Sequence, residues 1–294
     1  MNYSCMSFNI LGVDEGGNDL YAPSEIRAEY IANYLHDKKT DIVGIQEAGT
    51  HHRLYDWMTN FSLMISEGGF YSIAKMDEEI EFVKTTTTFP DKKVPLSAGL
   101  MILYRKDKFE LVERGARRYS STEKQERYFQ WVHLLDKSNE KDIFVTNTHW
   151  SIDWDENGKV SEEAGDRHRT IQAKELLDFW QTKVGNNILF GTGDYNCRQD
   201  STWMEMAEKG VYKRAETASG KDWNLGEHID NIFINPDLVA VKDYHFAKDR
   251  MNLDSIKGRH TCMYFWFSPQ KSNEKLQFDR MSDHEPLILT VSVK

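Results

Sequence analysis

The sequence predicts an α/β (α+β) sandwich: two facing mixed sheets with helices on their outer sides, in four layers. Three observations predict it. The first half of the chain alternates strand-like and helix-like segments, the second half repeats that order, and six apolar strand-like runs carry a carboxylate, amide or imidazole at one end. Alternating segments of this kind lay helices over a sheet, and two halves of similar order suggest two sheets that face each other. No linker-like stretch separates the halves, so one domain over residues 1–294 is expected.

Taken in order, residues 3–10 read as a strand. Residues 24–36 read as a helix, with Ser24 as N-cap and Ile26, Tyr30, Ile31, Tyr34 and Leu35 as an apolar stripe at helical spacing. Residues 41–46 form a short buried-strand run, and a further helix is expected from about Thr50. Beyond Phe70 the pattern turns to strands and hairpins, with 98–104, 128–135 and 142–148 as apolar or β-branched runs between charged turns. The stretch 77–95, with its run of threonines, reads as a polar surface insertion. A second long helix is expected over 161–183, burying Ile171, Ala173, Leu176, Leu177 and Trp180. Strands at 187–191, 228–234 and 286–293 complete the order.

The six polar patches are Ser7-Phe8-Asn9, Ile45-Gln46-Glu47, Thr148-His149, Gly193-Asp194-Tyr195-Asn196, His228-Ile229-Asp230 and Ser282-Asp283-His284. Strands that end on one edge bring distant acids together, and converging acids call for a cation between them. Each patch alone has a plainer reading: Glu47 as a solvated strand end, the Gly193 to Asn196 run as an Asx-rich turn, His284 as a capping or core histidine. In an extended segment Asp194 and Asn196 point to one side, with the glycines allowing close approach of a ligand. Asp283 and His284 are adjacent and so face different ways. Asp283 can meet a cation while His284 meets substrate, with Asp230 a candidate to orient its imidazole.

Taken together and in this order, the patches resemble the endonuclease/exonuclease/phosphatase superfamily of DNase I-like phosphohydrolases, over residues 3–293. Arg169-Thr170-Ile171-Gln172 fits an Arg-x-x-Gln run found after the histidine motif in many members, and equally fits a polar helix face. The resemblance implies the DNase I-like four-layer sandwich and a metal-dependent phosphoric ester hydrolase. It implies that Glu47 holds a divalent cation with Asn9 and Asp283 close to it. Hard oxygen ligands favour Mg²⁺, with Mn²⁺ as a substitute. Asp194 would orient or deprotonate the attacking water, and Asn196 would position it and the phosphate. His149 and His284 would donate to the phosphoryl oxygens, Asp230 supporting His284, while Asn9, His149 and Asn196 contact substrate. Two departures, His228 where the family often has Arg and Asn231 where it often has an aromatic, bear on the substrate.

Composition narrows the substrate. A formal charge of -10 and a pI near 5.5 repel polyanions, so a long duplex is disfavoured and a small or accessible phosphoester is expected. The stretch 105–127, including Arg117 and Arg118, is the one modest basic excess, and a DNA or RNA nuclease would use it together with the aromatic segment 259–267 as a strand-binding surface. A catalytically silent phospholipid- or protein-binding scaffold is the alternative of another class, and would not need the complete ligand set. Asp153-Trp154-Asp155-Glu156-Asn157-Gly158 resembles the opening of a calcium loop, but Ala164 stands where the closing acid belongs, and an Asn-Gly turn accounts for the same residues. Trp150 and Trp154 are candidate stacking surfaces beside the cleft. The widely spaced Cys5, Cys197 and Cys262 point to a reducing compartment, and no apolar run approaches the ~20 residues of a membrane span. The chain as it stands reads as cytoplasmic and monomeric with no evident protein partner; a removed leader would leave no trace.

Overall fold

The computed structural model describes residues 1–11, 24–48, 69–74, 83–84, 93–94, 99–121, 127–153, 155, 157–197, 210–223, 225, 228–247, 282 and 284–294. The elements are β1 (Asn2–Asn9), α1 (Ser24–Lys38), β2 (Ile42–Gln46), β3 (Tyr71–Ile73), β4 (Val83–Lys84), β5 (Lys93–Val94), β6 (Met101–Arg105), β7 (Phe109–Arg118), β8 (Tyr128–Asp136), β9 (Asp142–His149), α2 (Glu162–Phe179), β10 (Ile188–Asp194), β11 (Lys213–Arg214), α3 (Ala215–Ser219), β12 (Asp230–Ile234), β13 (Val239–Phe246) and β14 (Leu287–Val293). A π-helical turn, Trp180–Val184, continues α2 and ends at Gly185 in the left-handed region. The helix expected from Thr50, most of 77–95, the segment 259–267, Ser24 and Ile26 as side chains, and Cys262 lie outside the described residues.

Two six-stranded mixed sheets form, in the orders β13-β14-β1-β2-β6-β3 and β11-β12-β10-β9-β8-β7. Each has one parallel pair at its centre, β1 with β2 and β9 with β10, and antiparallel neighbours elsewhere. A parallel pair needs a crossover, and α1 and α2 supply the two. α1 buries Ile31, Tyr34 and Leu35 against Met6, Phe8, Val43 and Ile45 on the outside of the first sheet. α2 is capped by Ser161, whose Oγ accepts the Ala164 N–H, and with the π-helical turn packs Ala173, Leu176, Phe179 and Trp180 on Phe129, Phe144 and Leu189 outside the second sheet. Between the sheets Tyr3, Cys5, Ile42, Val132, Ile143, Phe190 and Ile232 fill the inner core. The layers are therefore α/β/β/α.

Side chains alternate along a strand, and the alternation here sorts three environments. Met6 and Phe8 face α1, whereas Tyr3, Cys5, Ser7 and Asn9 occupy the opposite face of β1. The inner face of β9 reads Ile143, Val145, Asn147, His149; that of β10 reads Ile188, Phe190, Thr192, Asp194. β12 runs the other way, so its order Asp230, Ile232, Ile234 places the acid at the same edge, opposite Asp194. Each inner face thus grades from apolar to polar toward one edge of the sandwich, which is what gathers the polar strand ends.

Two long strands differ from the sequence expectation. β7 and β13, which the runs above omit, are the outermost strands of their sheets and carry a bulge each, at Leu111/Glu113 and Val241/Asp243. Outer strands need polar residues along one side, and the bulges break the two-residue alternation by which a strand is read. In α2, Ile171 and Leu177 are only half-buried, while His168, Arg169 and Gln172 are buried in the first turns. A polar solvated face is thus not where Arg169 and Gln172 lie.

Candidate active site

The site lies where the inner faces turn polar. Asn9 ends β1, Glu47 follows β2, His149 ends β9, Asp194 ends β10 with Asn196 just beyond, and Asp230 begins β12. Strand pairing sets His149 and Asp230 on either side of Asp194. His284 comes from the segment entering β14, held by its backbone N–H on Ser282 Oγ, 3.2 Å away; Ser282 in turn donates to the Asn9 carbonyl at 2.8 Å. Asp283 lies outside the described residues.

Asn9 joins the two sheets. Its Nδ2 donates to Glu47 Oε1 at 2.9 Å and to Asp194 Oδ2 at 3.0 Å, while its Oδ1 accepts the Leu11 N–H at 3.0 Å. The backbone donor fixes which end of the amide faces the acids, so here Asn9 serves them as a shared donor. His149 Nε2 stands 4.0 Å from Glu47 Oε1 and 3.8 Å from Asp194 Oδ2. His284 Nδ1 stands 2.6 Å from Asp230 Oδ2, and its Nε2 stands 3.7 Å from Asp194 Oδ2. Asn196 donates its backbone N–H to Asp194 Oδ1 at 2.9 Å and its Nδ2 to the Trp150 carbonyl at 2.9 Å.

Electrostatics follow from this packing. Burial, and then the neighbouring Asp230, push the Asp194 carboxyl up to about 7. Burial, and then the positive Arg127 and His284, hold His149 well below the usual histidine range, so its imidazole is neutral at physiological pH. The backbone carries strain at the same place: of five non-glycine residues at positive φ among the described residues, Leu11, Glu47 and Asn196 belong to this site.

Two groupings bring possible ligand atoms within 4.8 Å of one another, Glu47 with His149 and Asp194, and Asp194 with Asp230 and His284. Asp230 Oδ1 is buried with no hydrogen-bond partner among the described residues, an oxygen of the kind a cation satisfies. Carboxylate oxygens dominate both groupings, and no thiolate joins them, so the residues fit a hard divalent cation.

Below the site is a polar floor that the motifs contain but that spacing alone did not single out. Gln46 Nε2 donates to Asn147 Oδ1 at 2.6 Å and to Ser7 Oγ at 3.3 Å, and Asn147 Nδ2 donates to the Ile45 carbonyl at 2.7 Å. Ser7 Oγ accepts the Gly193 N–H at 3.1 Å, and Thr192 Oγ1 donates to the Thr146 carbonyl at 3.0 Å. These side chains are fully buried and tie the sheets together one step beneath Asn9, Glu47, His149 and Asp194. Ser7, Asn147 and Thr192 stand two positions before Asn9, His149 and Asp194, the signal that marks them.

Several expectations are corrected. Trp150 offers no stacking face: it is 1% exposed, packed edge-on to Tyr195, with its Nε1 donating to Tyr119 OH at 3.1 Å. Trp154 lies outside the described residues. Gly193 makes room for a neighbouring strand and not for a ligand, since a Cβ there would meet Thr148 Cγ2 at 2.7 Å and the Thr148 carbonyl oxygen at 2.8 Å. In the calcium-like loop Asp153 Oδ1 is bound by Arg169 at 2.6 Å, and Asp155 Oδ1 accepts the Asn157 and Lys159 N–H groups at 2.9 and 2.8 Å. That is the turn reading of the same residues. The basic stretch divides: Arg105 and Lys108 pair with Asp41 at the end of the sandwich away from the site, whereas Arg117 and Arg118 are exposed at the site end of β7.

Solved structures share this fold along the whole chain. An endonuclease/exonuclease/phosphatase from Bacteroides vulgatus superposes with a TM-score of 0.66 at 20% identity, covering 100% of both chains. A mannosyl-6-phosphatase from Bacteroides thetaiotaomicron gives 0.65 at 19%, covering 99% of both. TDP2 of D. rerio, complexed with a single-strand DNA product, gives 0.63 at 15%, again covering 99% of both. No curated protein sequence matches the chain significantly. The model of the Endonuclease/Exonuclease/phosphatase family matches residues 6–284, from the strand that presents Asn9 to the histidine beside Asp230, and the chain belongs to that family.

Proposed function

We propose that the protein is a divalent-cation-dependent hydrolase that cleaves a phosphoric ester by in-line attack of water. One observation carries this reading: Asn9, Glu47, His149, Asp194, Asp230 and His284, from six separate segments, meet within hydrogen-bonding or near-contact distance around Asp194 Oδ2 and Asp230. Asp194, titrating near neutrality, is suited to take a proton from water, because a general base works best with a pKa close to the operating pH. Asn196, anchored to Asp194 and Trp150, positions that water and the phosphate. His284 Nδ1 donates to Asp230, so an imidazolium there is stabilised and its Nε2 can donate to a phosphoryl oxygen as charge builds. His149, neutral, supplies a second donor without adding charge beside the acids. Glu47, with Asn9 donating to it and Asp283 next to His284 in sequence, would hold Mg²⁺, or Mn²⁺ in its place, which when bound supplies Lewis-acid stabilisation of phosphoryl charge.

A small or accessible phosphomonoester or phosphodiester is the favoured substrate, since the net charge of -10 opposes a long polyanion. A nuclease is the second reading, favoured by the exposed Arg117 and Arg118 at the site end of β7. The test is a panel of sugar phosphates, nucleotides, inositol phosphates, sphingomyelin and oligonucleotides with Mg²⁺ or Mn²⁺. Turnover abolished by chelator, by Glu47→Gln and by Asp194→Asn is expected. Clean cleavage of oligonucleotides at low enzyme would select the nuclease, and no cation-dependent turnover of any phosphoester would reject the enzyme in favour of a scaffold.

A further inference from the structure

α2 buries a polar pair, Arg169 and Gln172, that this chemistry does not use. A helix packed on a sheet ordinarily buries an apolar stripe, and α2 does so from Ala173 onward. A buried guanidinium is costly unless it is paired and hydrogen-bonded, so its contacts are specific demands of the sequence. Most of those contacts converge on one short turn. Arg169 Nη1 donates to the Ser151 carbonyl at 3.0 Å, and Nη2 donates to Asp153 Oδ1 at 2.6 Å and Asp166 Oδ1 at 2.7 Å. Gln172 Oε1 accepts the Ser151 N–H at 3.1 Å; its Nε2 donates to Ser151 Oγ at 2.5 Å and Ser121 Oγ at 3.0 Å. The backbone N–H, carbonyl and hydroxyl of Ser151 are thus all held from a single helix. Gly165 provides the space, for a Cβ there would lie 2.5 Å from Asp153 Oδ1 and 3.0 Å from Arg169 Nη1.

That turn leads directly out of the site. Ser151 follows His149 by two residues, and Trp150 between them donates its N–H to the Asp194 carbonyl at 2.9 Å while its own carbonyl accepts Asn196 Nδ2 at 2.9 Å. Fixing Ser151 therefore fixes the peptide that spaces His149, Asp194 and Asn196. We infer that Arg169 and Gln172 are positioning residues that clamp this turn from the helix layer, setting the relative placement of His149 and Asn196 about Asp194. The inference rests on the hydrolase reading for its kinetic consequence and on the hydrogen bonds alone for its structural one.

The experiment compares Arg169→Met, Arg169→Lys, Gln172→Met and Gln172→Glu with the wild type. A displacement of about 1 Å in a reacting group can cost roughly 100-fold in rate. Arg169→Met and Gln172→Met are expected to lower kcat about 10- to 100-fold with KM within about 3-fold, whereas Arg169→Lys, which keeps the charge, and Gln172→Glu, which keeps the Ser151 acceptor, recover part of the loss. A change confined to KM, or unchanged kcat in both methionine variants, overturns the proposal. Should Arg169→Met not fold, the glutamine pair decides. If the wild type hydrolyses no phosphoester, the hydrolase reading has failed, and amide exchange then decides the clamp separately. Exchange at Ser151 at least about 10-fold faster in the Gln172→Met variant, with Val145 in β9 unchanged, supports it, and equal exchange overturns it.

Discussion

Gly44 lies on the inner face of β2, opposite Thr192 of the other sheet. A Cβ added there would fall 1.9 Å from Thr192 Oγ1, 2.7 Å from Thr192 Cβ and 2.9 Å from Asn147 Oδ1. Rotating the threonine side chain can remove the first contact. It leaves the second, because Thr192 Cβ is fixed by the backbone of β10. Gly44→Ala must therefore part the sheets at this level or displace Thr192, whose hydroxyl donates to the Thr146 carbonyl at 3.0 Å and lies 3.1 Å from Asn147 Oδ1. Overpacking a tight core costs roughly 1–3 kcal/mol. Breaking the buried hydroxyl's bonds adds roughly 1–3 kcal/mol. The sum is about 2–6 kcal/mol, or a fall in Tm of roughly 3–10 °C for a chain of this size. Urea unfolding measures it, with an unchanged m-value as the sign that both end states are otherwise intact. In a Thr192→Gly background the same substitution should cost less than half as much, since the two nearest atoms are gone and only Asn147 Oδ1 at 2.9 Å remains. A cost below about 1 kcal/mol in the wild type, or an equal cost in both backgrounds, would refute the inter-sheet register described here.

Other outcomes follow from the same site. In cation-free protein the folded Asp194 carboxyl titrates near 7, against an ordinary value of ~3.9 when unfolded. Between those values the folded chain holds a proton that the unfolded chain does not, so stability falls as pH rises through the window; from about pH 6 to pH 8 the loss is about 1.4 kcal/mol. Urea midpoints at the two pH values should show it, and Asp194→Asn should flatten it. Asn9→Ala withdraws the donor shared by Glu47 and Asp194, and should lower kcat at least about 100-fold while costing roughly 1–3 kcal/mol; wild-type turnover would show that the amide is dispensable. Tyr119→Phe removes the hydroxyl 2.9 Å from Thr148 Oγ1 and the acceptor of Trp150 Nε1, a predicted loss of roughly 1–3 kcal/mol by calorimetry. Mg²⁺ at about 100 times its Kd should raise the unfolding free energy by about 2.7 kcal/mol, and Glu47→Gln should remove that gain.

The central strands were legible because burial on both faces forces continuous apolar runs, and because each run changes to polar residues at the edge that forms the site. The placement of the candidate site residues was legible in the endings of those runs: Asn9, His149 and Asp194 close their strands, and Asp230 opens one that runs the other way. The outer strands β7 and β13 were not, since their bulges and exposed charges erase the alternation. The floor was only half legible. Ser7, Asn147 and Thr192 sit in phase with the site residues, but a lone polar residue in a strand equally marks a solvated face, and only the facing sheet decides between the two. Arg169 and Gln172 mislead for a similar reason: helical spacing gives the angle between side chains, not what lies opposite. Trp150 failed on sequence distance, since its nearness to His149 says nothing about which side of the sheet its ring takes.

The two ends of the sandwich are built on different terms. Away from the site, Asp41 receives Arg105 at 3.1 Å, Lys108 at 2.7 Å and the Ser4 N–H at 2.9 Å, and Tyr3 OH donates to Asp136 at 2.8 Å across the sheets. Opposite charges and donors are matched there, and the two left-handed residues of that end, Lys39 and Glu140, sit in its turns and not among paired acids. At the site end Glu47, Leu11 and Asn196 hold left-handed conformations. Residues so placed cost roughly 1–3 kcal/mol each, less for an asparagine, and a buried carboxyl stands beside another acid. None of that favours folding, so it persists only because the far end and the floor hold the strands in register. The polar floor is therefore more than packing: it is the layer through which stability at one end of the sandwich is converted into fixed positions for strained, like-charged groups at the other.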